Sequence, residues 1–211
     1  MIPPAREGRR ILLLGRNGQL GFELERSLST LGEVIACDRG GCDLADAAAL
    51  AAALDAARPE LIVNAAAYTA VDAAEDDEAA AFAVNATAPA ALAAAAERCG
   101  IALVHFSTDY VFDGTTAASA DGTRAAYDET QPVAPQGAYG RSKLAGEDAI
   151  RGSGCAHFIF RTAWVYANRG RNFLNTMERL AAERDHLSIV DDQIGCPTWA
   201  RSLADATAQI L

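Results

Sequence analysis

Ile11-Leu12-Leu13-Leu14-Gly15-Arg16-Asn17-Gly18-Gln19-Leu20-Gly21 is the stretch that decides the fold. An apolar run enters a glycine without alternation, and two more glycines follow at three-residue spacing. A short continuous apolar run bounded by glycine reads as a strand covered on both faces. Residues 19–31 then take up a helical pattern. Glycines between a strand and a helix permit a tight turn, a close backbone approach and close helix–strand packing. The helix start adds free N–H groups and a positive dipole end, which suit a pyrophosphate. Gly15 and Gly18 are therefore expected to border a dinucleotide.

The same alternation continues along the chain. Residues 34–38, 61–66, 103–108 and 157–166 read as strands, and 47–57, 73–99 and 139–151 as helices, the second of these interrupted near Asn85 or Pro89. Strand–helix alternation predicts an α/β fold, a Rossmann doubly wound parallel sheet with helices on both sides. Beyond 166 the pattern predicts a helix over 173–184, a short strand over 187–190 and a further helix beginning near Ala200. Residues 1–166 are expected to form the nucleotide-binding domain and 167–211 the start of a substrate-binding portion. Residues 113–136, rich in Gly, Thr, Ser and Pro, read as a long surface loop of the kind that is usually functional.

The net charge of −10 argues against nucleic acid and anionic membranes as partners. No apolar stretch is expected to reach transmembrane length, and residues 1–10 do not read as a signal peptide. Five cysteines, scattered and without a Cys-x-x-Cys pair, predict small buried residues in a reducing cytoplasm rather than a disulfide framework or a zinc site.

The chain contains one lysine, Lys143, within Tyr139-Gly140-Arg141-Ser142-Lys143. Every other basic residue apart from histidine is arginine, so lysine's compact, tunable ammonium is placed only here. Four residues apart on a helix, Tyr139 and Lys143 share a face. A nearby ammonium is expected to lower the phenol pKa and make Tyr139 a general acid/base. Ser107-Thr108-Asp109 closes the fourth strand, and strand C-terminal ends border the ligand crevice of such a sheet. A hydroxyl there can bond a carbonyl oxygen while Tyr139 donates the proton. Asp38 ends the second strand, where an acidic residue meets an adenosine ribose, and Arg39 beside it can accept a 2′-phosphate. The pair leaves NADH and NADPH both open. Asp43-Leu44 reads equally well as an adenine contact or as a helix N-cap followed by a core leucine.

A Ser/Thr–Tyr–Lys set on a dinucleotide fold resembles the extended short-chain dehydrogenase/reductases. Five runs narrow the resemblance: Asn64-Ala65-Ala66-Ala67-Tyr68-Thr69-Ala70-Val71-Asp72, Ser107-Thr108-Asp109-Tyr110-Val111-Phe112-Asp113-Gly114, Tyr139 to Glu147, Arg161-Thr162-Ala163-Trp164-Val165-Tyr166 and Asp192-Gln193-Ile194-Gly195-Cys196-Pro197-Thr198. In order and spacing they look like the dTDP-4-dehydrorhamnose reductase family, and Tyr110 departs from the acidic pair of the related dehydratases. The resemblance implies that Gly18, Gln19 and Leu20 border the pyrophosphate, and Asp38, Asp43 and Leu44 the adenosine. It implies that Ala67, Tyr68 and Thr69 line the cofactor, NADPH or NADH, and that Tyr139 and Lys143 hold its nicotinamide ribose. Thr108, Asp109 and Trp164 would contact the sugar of a dTDP-sugar substrate. The implied reaction is reduction of dTDP-4-dehydro-β-L-rhamnose to dTDP-β-L-rhamnose, with Thr108, Tyr139 and Lys143 catalytic, and the resemblance leaves room for a homodimer. It also implies further substrate-domain elements beyond the point matching Leu211. The alternatives are another nucleotide-sugar reductase or epimerase, or a non-catalytic dinucleotide-binding subunit of the kind related to methionine adenosyltransferase. The intact Thr108, Tyr139 and Lys143 count against the last.

Other residues carry less. Trp164 reads equally as a core aromatic of the fifth strand. His105, inside an apolar strand, reads as a satisfied core residue, and His157 and His186 as structural. The run Glu75-Asp76-Asp77-Glu78 reads as a solvated helix start. Some members of the family hold a divalent metal, and Glu23 is the one candidate remnant. Arg201 stands where another carboxylate would be wanted, and no metal is expected.

Overall fold

The computed structural model describes residues 8–115 and 125–211. The expectation about the first ten residues, and the middle of the long loop, therefore fall largely outside the described residues. Strands β1 (Arg10–Leu14), β2 (Glu33–Cys37), β3 (Leu61–Asn64), β4 (Ala102–Thr108) and β5 (His157–Thr162) form one parallel sheet in the order β2-β1-β3-β4-β5. The direction of winding reverses between β1 and β3, which opens the crevice at their C-terminal ends. Helices α1 (Gln19–Leu28), α2 (Ala47–Ala57), α3 (Ala73–Asp76), α4 (Glu78–Phe82), α5 (Ala88–Cys99) and α6 (Ala138–Gly152) connect the strands. Leu12, Ile62 and Leu103 pack into one cluster with Leu50, Leu92 and Ile150; Ile11, Leu13, Val63 and Val104 pack into a second with Leu24 and Leu28. The strands are thus apolar on successive residues because both faces are covered. Each such Leu, Ile or Val contributes roughly 1.5–3 kcal/mol by leaving water.

The region read as one interrupted helix is built differently. Asp77 leaves helical geometry and caps α4, accepting from the Ala80 amide at 3.1 Å. Residues Ala83–Thr87 then widen into a π-helical turn that runs straight into α5. Pro89 supplies the cause: it has no N–H to offer the Asn85 carbonyl four residues back, and its ring crowds that carbonyl. The run Glu78–Cys99, of 22 residues and mean hydropathy 1.5, is long and apolar enough to cross a membrane by length and composition. This corrects the expectation that no stretch is, although Leu92, Ala93 and Ala96 of this run are fully buried in the core.

The fifth strand is also broken. β5 stops at Thr162, and β6 (Val165–Tyr166) pairs instead with β7 (Thr198–Trp199) in a separate two-stranded parallel sheet. Between them Trp164 has φ +45°, a conformation that strands cannot contain. Helix α7 (Phe173–Glu183) lies where expected, but the strand expected over 187–190 is absent, since that segment has no ladder partner. Helix α8 (Ala200–Ile210) packs back on α1, with Ala204 in the cluster of Leu24 and Leu28 and Ser27 donating to Asp205 at 2.6 Å. Cys42 and Cys155 are buried, but Cys99 and Cys196 are exposed, one at a helix end and one in the irregular segment before β7. The expectation of five buried cysteines therefore fails for those two, and Cys37 is only half-buried.

Helix α6 rests on the π-helical turn through bare backbone. A Cβ on Gly146 would collide with the Asn85 carbonyl oxygen, whereas one on Gly152 in the same helix meets nothing within 4 Å. Gly146→Ala should destabilise the protein by about 1–3 kcal/mol, the cost of overpacking. Gly152→Ala should be neutral or stabilising by up to about 1 kcal/mol. Urea denaturation of the two variants measures the contrast.

Candidate active site

The crevice is assembled from the C-terminal ends of β1 to β5. Gly15 leaves β1 with φ +88°, and a Cβ there would lie 2.7 Å from the Ala66 amide nitrogen. A Cβ on Gly21 would strike the Gly15 carbonyl, so α1 can close on β1 only with glycine at 21. The cradle left by these glycines fits a pyrophosphate against the first turn of α1. Gln19 and Leu20 have side chains engaged elsewhere. Gln19 donates to the Val165 carbonyl at 3.2 Å and accepts from Asn172 at 2.7 Å, and Leu20 packs on the second core cluster.

At the end of β2 the Asp38 carboxylate accepts from the Gly41 amide at 3.0 Å and from Asn17 at 2.9 Å. These bonds hold its pKa below the ordinary carboxylate value, the Gly41 amide contributing most. Asp43 accepts from the Ala45 amide at 3.0 Å and pairs with the exposed Arg39 at 3.2 Å. The N-cap of α2 is Asp46, which accepts from Ala48 and Ala49, so the alternative of Asp43 as a cap is corrected. Leu44 is buried in the core beside Leu50, which favours its packing role over an adenine contact.

Ala67, Tyr68 and Thr69 follow β3. Asn85, fully buried in the π-helical turn, accepts from the Tyr68 amide at 2.9 Å and donates to the Tyr68 carbonyl at 3.0 Å. Its amide also donates to Ser142 Oγ at 3.0 Å, and Ser142 donates to the Tyr139 carbonyl at 2.7 Å. One asparagine therefore fixes the loop after β3 to the helix that carries Tyr139 and Lys143. Sequence reading used Asn85 only as a helix break. The signal available was a carboxamide four residues before a proline in an alanine helix.

The first turn of α6 has no side-chain cap of its own at Gly137. Glu75 supplies one from across the fold, accepting the Ala138 amide at 2.6 Å, and Glu78 pairs with Arg141 at 3.2 Å. The acidic run is thus partly a docking device for α6 and not simply a solvated helix start. At the other end Glu147, fully buried, is gripped by Arg161 of β5 at 2.7 Å and by Arg151 at 2.8 Å.

Tyr139 is 9% exposed, packed among Ala74, Ala81, Tyr68 and Val71, with the Tyr110 ring edge-on at 5.6 Å. Thr108 accepts from the Tyr110 amide and donates to Asp109, both at 3.2 Å. The Tyr139 phenol lies above its ordinary pKa. Burial raises it most, the Thr108 hydrogen bond lowers it, and Asp109 and Tyr110 raise it further. The expected lowering by Lys143 does not occur, because the Lys143 ammonium is turned to the Phe106 carbonyl at 2.6 Å and to His105 Nε2 at 3.3 Å. Lys143 is 1% exposed, and burial lowers its pKa from 10.5 to about 8, opposed by Glu147. Burial raises the Asp109 pKa as well.

Trp164 is not a core aromatic. It is 47% exposed, lies two residues beyond the strand partner of Thr108, and covers Gly195, where a Cβ would strike the indole. Glu23, the candidate metal remnant, is neutralised by Arg201 at 3.3 Å and Arg26 at 3.7 Å.

Comparison with known proteins agrees with this geometry. Residues 9–211 match the family described as the RmlD substrate binding domain. A dTDP-4-dehydrorhamnose reductase of Burkholderia thailandensis is 54% identical over 202 residues, covering 96% of this chain and 65% of that protein. The structure of a dTDP-4-dehydrorhamnose reductase from Clostridium acetobutylicum superposes with a TM-score of 0.87 at 37% identity, covering 97% of this chain and 70% of that one. One from Bacillus anthracis, in complex with NADP, also gives 0.87, at 36% identity and 96% and 70% coverage. The chain spans about two thirds (65%) of the length of the Burkholderia relative. With the dinucleotide turn, the Thr–Tyr–Lys crevice and a match over nearly its whole length, the chain belongs to the RmlD substrate binding domain family.

Proposed function

We propose that this chain carries the cofactor-binding and catalytic machinery of a dTDP-4-dehydrorhamnose reductase, reducing dTDP-4-dehydro-β-L-rhamnose to dTDP-β-L-rhamnose with NADPH or NADH in the cytoplasm. The observation that carries the reading is Tyr139, buried beside Thr108 at the end of β4, on a helix whose next turn brings in the only lysine. Likeness to relatives of that name, one of them holding NADP, supports the substrate and the cofactor. The glycine cradle at 15–21 would hold the pyrophosphate, Asp38 the adenosine ribose, and Ala67, Tyr68 and Thr69 the cofactor's inner face. The nicotinamide, when bound, supplies a hydride to C4 of the sugar.

The protein's own residues handle the proton. Reduction turns the C4 carbonyl oxygen into an alkoxide, which needs an acid. Tyr139, held protonated by burial, keeps a proton to give at neutral pH. Thr108 Oγ1, whose proton goes to Asp109 in this structure, would turn it to the oxygen on which charge develops, where such a donor lowers the barrier. Lys143 and Tyr139 would hold the nicotinamide ribose, and Asp109 and Trp164 would contact the sugar. Arg39, tied to Asp43, is beside the ribose position yet free to exchange partners, so the choice between NADH and NADPH rests on that pair.

Two measurements test the reading. Oxidation of NADPH and NADH with enzymatically generated dTDP-4-dehydrorhamnose should require Tyr139. Tyr139→Phe should lose about 10²–10⁴-fold in rate while still binding cofactor; oxidation that survives the change would remove Tyr139 from the mechanism, and failure to bind either nucleotide would overturn the reading. Lys143→Met should abolish turnover yet stabilise the fold at pH 7 by up to about 3 kcal/mol, since the folded protein binds the lysine proton more weakly than the unfolded chain. The sign sets the window: the burden is full below pH 8 and vanishes as pH rises to 10.5. The stability of the parent should therefore climb relative to Lys143→Met across that range. Parallel denaturation curves for the two proteins would expose the opposite trend.

A further inference from the structure

His105 is completely buried in β4 and takes no part in the mechanism above. Its two ring nitrogens are both engaged, and the engagement is chemically restrictive. Asn64, its neighbour across the β3–β4 ladder, uses Oδ1 to accept the Ala66 amide at 3.1 Å. Its Nδ2 is thereby directed at His105 Nδ1, 3.2 Å away. A carboxamide nitrogen only donates, so Nδ1 accepts, and a neutral imidazole then carries its proton on Nε2. That N–H faces Lys143 Nζ at 3.3 Å. Against an ammonium the contact is donor to donor. Against an amine it is a hydrogen bond into the nitrogen lone pair, while Nζ continues to donate to the Phe106 carbonyl at 2.6 Å. Reversing the carboxamide would relieve the ammonium but set an NH2 group against the Ala66 N–H.

We propose that Asn64 and His105 are positioning residues for Lys143: the carboxamide fixes the ring's tautomer, and the Nε2–H so directed favours the amine over the ammonium form of the lysine. The assignment rests on the reading in which Lys143 serves Tyr139. When the ammonium gives a proton up to water, an Nζ–H bond breaks, and the lone pair left on Nζ accepts Nε2–H. The ring itself stays neutral, since burial and Lys143 hold its pKa well below 6.5. Burial, which lowers the lysine's pKa, acts in the same direction as this contact. Charges on the other elements around α6 do not cancel the effect. Glu147 alone raises the lysine, and its carboxylate is matched by Arg161 and Arg151. Asp109 acts on Tyr139, Glu75 and Glu78 are bound to the first turn of α6, and Glu97 of α5 lies near Gly154 at the far end.

Because Lys143 is the only lysine, protein labelled with 13C at lysine Cε gives one side-chain signal whose titration reads this group without substrate or activity. Nitrogen-15 spectra of the imidazoles report the tautomer of His105 in the unaltered protein. The expected result is a His105 proton on Nε2 and a lysine midpoint near 8. His105→Gln offers the ammonium an acceptor and should raise the midpoint by about one unit, roughly a tenfold change in the protonation ratio. Asn64→Asp keeps the Ala66 acceptor, draws the ring proton to Nδ1 and should act in the same direction. A His105 proton found on Nδ1 in the parent, or a lysine midpoint unmoved in a folded His105→Gln protein, overturns the proposal. Neither result depends on whether the chain turns over a nucleotide sugar, so the two readings fail separately.

Discussion

The contact on which the site depends is the bare-backbone seat of α6 on the π-helical turn at Ala83–Thr87. Pro89 withholds the amide that would have bonded the Asn85 carbonyl, the turn widens, and the carbonyl stands out against residue 146. Only glycine lets the helix come that close. The approach brings Asn85 within reach of both Tyr68 and Ser142, so the same turn that seats the helix also fixes the loop after β3. Tyr139 and Lys143 owe their places to these contacts. A pair of side chains one turn apart is easy to write into a helix; holding that helix to a fraction of an ångström over a strand end needs a backbone contact.

A second constraint is electrostatic. Helix α6 buries a cation and an anion four residues apart, Lys143 and Glu147, yet they do not pair with each other. Glu147 takes Arg161 and Arg151, which satisfies its oxygens with charged donors and ties α6 to β5. Lys143 is left with a backbone carbonyl and an imidazole. Removing one partner of a buried pair is costly because the other stays charged in a poor solvent. Lys143 instead has the option of shedding its proton, and it is this option that an arginine could not supply. The use of arginine everywhere else makes sense in the same terms: surface pairs such as Arg141–Glu78 need a permanent charge and nothing more.

The fold was legible because strand–helix alternation and strand burial leave a direct imprint on hydrophobic order; all five sheet strands fall within a few residues of their expected places. The short strand over 187–190 was misjudged because a four-residue apolar run carries no record of whether a partner edge exists. The break at Trp164 was invisible for a related reason: Val165 and Tyr166 are as strand-like as the residues before them, and only the left-handed residue redirects them to a second sheet. In the site, residue types and spacing singled out Thr108, Tyr139 and Lys143, which the fold places at the end of β4 and on α6. They did not reveal that Lys143 would point away from the phenol, which depends on where the Phe106 carbonyl and His105 lie in three dimensions. Nor did they reveal Glu75 as the cap of a helix that begins 63 residues later in the chain.

The two parts of the crevice are held by different physics, and that difference bears on how the site could work. The side built from β1 to β4 and α6 is apolar core with buried hydrogen bonds, and the hydroxyls of Thr108 and Tyr139 are almost wholly enclosed. The side built from residues 164–199 is attached to it largely by polar contacts. Gln19 bonds the Val165 carbonyl and Asn172, and Asn172 in turn caps α7, none of whose residues is buried. Opening such bonds costs far less than exposing a leucine core, so this is the side drawn from the low-stability end of the structure. Gln19 stands in the dinucleotide turn itself. One side chain therefore links that turn to β6 and to the start of α7. One half encloses Tyr139 in packed core; the other begins at Trp164 with its left-handed backbone and leads into α7, which buries no residue.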